Sequence, residues 1–229
     1  MSSNSVPEIG PSTPYFAGHF EDVDQKIESD ILGMWLFLAQ EIMFFGGMFT
    51  AYSVYRHAYP DIFQLGADQL NYIMGAGNTM FLLISSLTMA MTVYYTQHGQ
   101  FRKQLLCFLA TMIFGSLFLV VKYFEYKEKW DHGLVPGLNW DPHTVDFAAA
   151  HLTSPPENLK LYFILYFTMT GLHALHMVIG IGIGIAIFIN MLLWKKYGPN
   201  RYMAVEMFGF YWHFVDIVWV FLFPLIYLI

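Results

Sequence analysis

Polar and apolar residues in this chain fall into long blocks rather than a short alternation. Five apolar windows, roughly 32–55, 71–95, 104–125, 160–194 and 203–229, are separated by connections rich in Pro, Gly and charge. Each window reaches the ~20 residues needed to cross a hydrocarbon layer ~30 Å thick. None alternates as a membrane β-strand would, and backbone polar groups in lipid must be paired within their own segment, so each window is predicted to be a helix. The expected fold is all-α: a multi-pass membrane protein built as a bundle of five transmembrane helices.

Composition agrees with lipid residence. Of the 229 residues, 56% are apolar and 12% charged, against about 25% charged in a soluble domain. Residues 1–20 hold no apolar core of the kind a secretory signal needs, so none is expected. The tail 1–30 turns acidic in its second half (Glu21, Asp22, Asp24, Glu28, Asp30) and is expected on the cytoplasmic membrane surface. The single cysteine, Cys107, has no partner for an internal disulfide. A net charge of −6, spread over tail and loops, does not suggest nucleic acid.

Basic residues in the short loops set the orientation. Arg102 and Lys103 follow the second window, and Lys195, Lys196 and Arg201 follow the fourth. Both sets lie on the same side as the N-terminus. Arg56, Lys127 and Lys129 lie on the far side. The bias predicts a cytoplasmic N-terminus and a periplasmic C-terminus. The third connection, 126–159, is long and carries Pro136, Trp140, Pro142, Pro155 and Pro156, with a short helix expected near 144–152. No internal repeat or low-complexity tract is visible.

Polar residues inside the windows carry the functional information. Glu206, Gly209, His213 and Asp216 recur at steps of three and four, which places them on one face of the fifth helix. Ionisable groups at such depth are costly and ordinarily face protein or water. Glu41 stands alone in its helix, ~14 Å from the inner end at 1.5 Å per residue, and His213 lies at ~15 Å by the same rise. Their common depth predicts a Glu41–His213 contact, direct or through water. The lone mid-membrane acid is either structurally paired or functional. His173 and His176 share a face of the fourth helix. They read as hydrogen-bonded packing residues or as ligands, and a haem or metal site would need a further ligand such as His213.

Gly180 and Gly184 follow as Gly-x-x-x-Gly, a spacing that lets helices approach closely. Gly75, Asn78, Ser85 and Thr92 make a stripe on the second helix suited to interhelical hydrogen bonds. Lys122 and Glu125, at i and i+3 near the outer end of the third helix, pair there or reach to the interface. Trp35, Trp140 and Trp194 are expected interface anchors. Trp212, Lys195, Lys196 and Arg201 join Trp35 as lipid or interface candidates.

These residues together resemble a known family. Tyr211-Trp212-His213-Phe214-Val215-Asp216-Ile217-Val218-Trp219 resembles the C-terminal signature of subunit III of haem-copper oxidases, the cytochrome c oxidase subunit III family. The first helix, from Gly33-Met34-Trp35 through Gln40-Glu41-Ile42 to Gly46-Gly47, is similar to that family's segment around a buried glutamate. Asn78-Thr79 with Ser85-Ser86-Leu87-Thr88, then Glu125-Tyr126, then Thr170-Gly171-Leu172-His173-Ala174-Leu175-His176-Met177 with Gly180, match in order.

The resemblance implies the five-helix bacterial type of a non-redox subunit, with no catalytic residue and no metal of its own. Haem and copper would sit in partner subunits. It implies packing against subunit I, with subunit II and other respiratory-complex subunits nearby, in the bacterial cytoplasmic (inner) membrane. It also implies a V-shaped cleft holding structural phospholipid, support of proton uptake, and protection of the oxygen-reducing centre during turnover. Glu41 would be the family's carbodiimide-reactive carboxyl, and His213 and Asp216 would serve helix packing.

Two features depart from the family pattern: Gln40 precedes the glutamate where serine is expected, and connection 126–159 is longer, which suggests contact with another subunit or an electron-donor domain. Alternatives are a quinol oxidase or nitric-oxide reductase subunit, a stand-alone membrane haem protein, and a transporter with Glu41 at its binding site.

Overall fold

A computed structural model describes residues 23–141, 158–194, 197–198 and 202–228. The short helix expected near 144–152, most of the tail 1–30, Lys195, Lys196 and Arg201 lie outside the described residues. Among the described residues the elements run α1 (Val23–Ala58), α2 (Pro60–Asp68), α3 (Tyr72–Gln97), α4 (Phe101–Asp131), β1 (Leu134–Val135), β2 (Asn139–Trp140), α5 (Leu159–Trp194) and α6 (Met203–Tyr227). All but α2 among these helices are long and apolar enough to cross a membrane, and they coincide with the five expected windows.

Their ends follow local chemistry. The Asn71 side chain caps α3 by accepting from the backbone N–H groups of Ile73 and Met74, at 3.0 and 3.3 Å. Gly99 turns the chain from α3 into α4 at a positive φ of 69°. The third connection is more ordered at its start than the apolar pattern suggests. Helix α4 runs on to Asp131, and a hairpin pairs Leu134 with Trp140 and Val135 with Asn139. The hairpin folds back onto its own chain: Leu134 is buried and Trp140 packs on Phe163. Helix α2 was not visible in the apolar pattern. Pro60 starts it, and its Ile62 and Phe63 are buried against the first turns of α5, with the Phe63 ring 5.3 Å from Tyr162.

Helices α3 to α6 form the packed body. Helix α6 is its centre, with half of its apolar window buried against only 6% for α1. Trp212 explains two glycines. A Cβ on Gly115 would stand 2.7 Å from Trp212 Cζ2, and one on Gly180 would stand 3.2 Å from Trp212 Cζ3. The Gly-x-x-x-Gly pair thus admits bulky side chains: Gly180 takes Tyr211 and Trp212, and Gly184 takes Met112 and Phe208. Trp212 itself is 1% exposed and donates its indole N–H to Ser85 Oγ at 2.8 Å. It is therefore a core residue, not a lipid-interface one, because its position shares the inward face of α6 with Asp216 and Trp219. Trp35 is 66% exposed, as an interface anchor requires.

Helix α1 touches the body through aromatic contacts, Phe37 on Tyr211 and Phe45 on His176 and Phe214. Most of its remaining surface is exposed and apolar, including Leu32, Leu36, Ile42, Met43 and Val54.

Candidate functional site

Glu41 and Glu125 are acids within the spans that each face a basic side chain and a residue of α5. Glu41 is on α1. Its Oε2 is 3.3 Å from His176 Nε2, an ion-pair distance without the alignment of a hydrogen bond. The other imidazole nitrogen, Nδ1, is 2.8 Å from the Leu172 carbonyl oxygen one turn back. Only an N–H makes a favourable contact with a carbonyl, so Nδ1 carries a proton. Nε2 then either offers a second N–H to a carboxylate or accepts the proton of a carboxylic acid. The Tyr211 hydroxyl donates to the His176 backbone carbonyl at 2.8 Å and ties this turn of α5 to α6.

The expected Glu41–His213 contact is not the one formed. The two residues do lie level with each other, since Phe37 meets Tyr211 and Phe45 meets Phe214 across the α1–α6 contact. The expected face is not the one observed. Successive helical residues turn by about 100° at 3.6 residues per turn, so while Tyr211 and Phe214 face α1, His213 faces α3. There its Nδ1 lies 2.7 Å from Ser86 Oγ. Gly209, on the same stripe, lets Val93 and Met89 of α3 approach. The stripe Gly209–His213–Asp216 is therefore the α3-facing seam. Asp216 is 3% exposed and interacts with Ser86, yet neither carboxyl oxygen makes a well-formed hydrogen bond.

Glu125 is the second acid, on α4. It is fully buried and fully engaged. Lys122 Nζ donates to its Oε2 at 3.0 Å, Tyr166 donates to its Oε1 at 2.7 Å, and Tyr227 donates to the same Oε1. Lys122 also donates to the Tyr227 hydroxyl oxygen at 2.6 Å and sits 4.6 Å from the centre of a Trp219 ring. The pair does not reach to the interface, because the tyrosines of α5 and α6 close over it. Nearby bonds extend the clamp: Tyr126 with Thr170 at 2.7 Å, Tyr162 to the Ile226 carbonyl at 3.2 Å, and Lys129 to the Gln69 carbonyl. Sequence reasoning missed Tyr166, Tyr227, Tyr162 and Lys129. One signal was present: Lys122, Glu125 and Lys129 recur at i, i+3 and i+7 on one face of an apolar helix.

His173 and His176, though three residues apart, meet different surroundings. His173 is wholly buried between Phe118 and Trp219, with ring centres at 5.3 and 5.2 Å, and neither nitrogen has a hydrogen-bond partner. His173, His176 and His213 thus face three separate neighbourhoods. Among the described residues no three His, Cys, Asp or Glu side chains converge on a point. Ser85 and Asn78 are both buried on α3; Ser85 joins Trp212 and the Thr111 carbonyl, at 2.8 and 3.4 Å. Both side-chain atoms of Asn78 lack a partner.

Comparison with known proteins places this arrangement. The family model described as Cytochrome c oxidase subunit III matches residues 156–229, which hold α5 and α6. The Cytochrome c oxidase subunit 3 of Bacillus sp. (strain PS3) is 30% identical over 209 residues, covering 88% of this chain and 86% of that protein. The Probable quinol oxidase subunit 3 of Staphylococcus haemolyticus is 26% identical, covering 86% of this chain and 88% of that one. The Heme-copper oxidase subunit I+III of Aeropyrum pernix is 28% identical over 94% of this chain, which spans 24% of that longer protein. Five apolar spans, an acid on the first, and a matched C-terminal pair of helices agree with these likenesses: the chain belongs to the cytochrome c oxidase subunit III family.

Proposed function

We propose that this chain is a non-redox accessory subunit of a proton-pumping terminal oxidase that passes electrons from cytochrome c to oxygen. Electrons move through partner chains, which hold haem and copper. The observation that carries this reading is the Glu41–His176 pair. The pair lies between the body and the loosely packed α1, and in this reading it offers a proton-exchanging site that supports proton uptake by a neighbour. The fully buried acid Glu125, by contrast, is consumed by internal bonds.

Subunit I is the main partner in this reading, as the fused Aeropyrum relative's name supports. Subunit II and further respiratory subunits complete the complex, with the α4–α5 connection 126–159 directed at one of them. The groove along α1 beside Phe49, Thr50, Ser53, Val54 and His57 suits an acyl chain, and structural phospholipid is its occupant in this reading of the expected cleft. The membrane is the bacterial inner membrane, with the N-terminus cytoplasmic and the C-terminus periplasmic.

Removing the chain from the purified oxidase should leave the haem spectrum unchanged, slow proton uptake and shorten the active lifetime during turnover. A depleted oxidase as durable and as fast in proton uptake as the intact one would overturn the reading. Oxidation of reduced cytochrome c against quinol decides the donor. The second reading, a quinol oxidase subunit, is favoured by the staphylococcal likeness.

A further inference from the structure

The contacts along α3 to α6 set one register across the body. Phe81 stacks with Phe114 and Ser85 bonds the Thr111 carbonyl, so Asn78 on α3 comes level with Phe118 on α4. The Phe118 ring lies 4.9 Å from the Trp219 ring, and Trp219 lies 5.2 Å from His173. Trp219 also donates its indole N–H to Thr79, the neighbour of Asn78, at 3.1 Å. Asn78, His173 and Trp219 therefore occupy one layer, with Asp216 one turn away on the same inward face of α6.

Three of these four side chains have a polar deficit. Both polar side-chain atoms of Asn78 and both nitrogens of His173 lack hydrogen-bond partners, and Asp216, beside Ser86, makes no well-formed one, at exposures of 0%, 0% and 3%. The three residues come from three different helices. An unpaired buried amide or carboxyl is costly, and natural interiors almost always pair such groups with protein or ordered water. A water needs two to four polar partners; Asn78 and His173 supply four unpaired atoms in this layer, and Asp216 two more one turn along α6.

We propose that the layer around Trp219, lined by Asn78, His173 and Asp216, is an internal water-binding site. The ligand is ordered water that bridges α3, α5 and α6 and satisfies their orphaned atoms. Hydration makes this the wet counterpart of the dry Lys122–Glu125 clamp one turn above.

The test has two arms. A high-resolution map of the wild-type chain in its oxidase, or in lipid nanodiscs, should show water density within hydrogen-bond distance of Asn78 and Asp216. Continuous protein packing there with no such density overturns the proposal. The second arm is the thermal midpoint of the Asn78→Leu chain in nanodiscs. If water satisfies the amide, the near-isosteric apolar residue strands that water's other bonds and lowers the midpoint by several degrees. If the amide is dry and unpaired, the same change removes a penalty and raises the midpoint, which contradicts the proposal. Should the variant fail to accumulate, the wild-type map alone decides.

Discussion

Glu125 and Glu41 are both carboxyls inside apolar helices, and their surroundings differ in almost every respect. Glu125 takes hydrogen bonds from Lys122, Tyr166 and Tyr227, and no part of it is exposed. Glu41 has one ionisable side chain in ion-pair range, His176 at 3.3 Å, and lies on a helix that meets the body mostly through aromatic edges. A fully bonded buried pair rigidifies its site, and removing one member leaves the other charge stranded. A loosely aligned pair at a helix–helix edge leaves its side chains open to other partners. The contrast fits cohesion for Glu125 and, in the function proposed above, proton exchange for Glu41.

Removing Glu125 is the strongest challenge to this division. Glu125→Ala strands the Lys122 ammonium in a dry site and should cost about 3–5 kcal/mol, enough to abolish accumulation of folded chain in a membrane expression assay. Replacing both members with apolar residues, Lys122→Met with Glu125→Leu, should recover much of that loss, since the penalty is the stranded charge and not the absent pair. Failure of the double variant to recover would mean that the pair has a role beyond cohesion.

Tyr227→Phe comes next. It deletes the hydroxyl that accepts from Lys122 and donates to Glu125, and should lower stability by about 1–2 kcal/mol, read as a shift in the unfolding midpoint. His176→Leu should cost no more than about 0.6 kcal/mol, the average for one interhelical hydrogen bond in a membrane protein, since its contact with Glu41 lacks hydrogen-bond alignment. A loss from His176→Leu as large as that from Glu125→Ala would erase the distinction between the two acids. Trp35→Ala, on the exposed face of α1, should change the stability of the isolated chain by no more than about 0.5 kcal/mol.

Much of the architecture was legible from the apolar blocks, because lipid admits few backbone solutions and imposes a minimum helix length. Helix α2 escaped because nine residues beginning at Pro60 make too short an apolar run to stand out from a loop. The 134–140 hairpin escaped because its two-residue strands carry no periodicity. Within the site, the i, i+3 spacing of Lys122 and Glu125 revealed their pairing, but not the tyrosines of α5 and α6 that bury it.

Glu41 teaches the complementary lesson. Counting residues from helix ends sets level, and Glu41 and His213 do lie level with each other between the Phe37–Tyr211 and Phe45–Phe214 contacts. The rotation of each helix about its axis depends on packing. Trp212 filling the space over Gly115 and Gly180 turns His213 toward Ser86. That leaves His176, read from sequence as a packing residue or ligand, as the partner of Glu41.

The division between the acids is tested most directly in the assembled oxidase carrying Glu41→Gln. Haem content and oxygen reduction should stay close to wild type, while proton uptake slows and activity decays faster during turnover. A fully assembled Glu41→Gln complex that no longer reduces oxygen at all would contradict the accessory role.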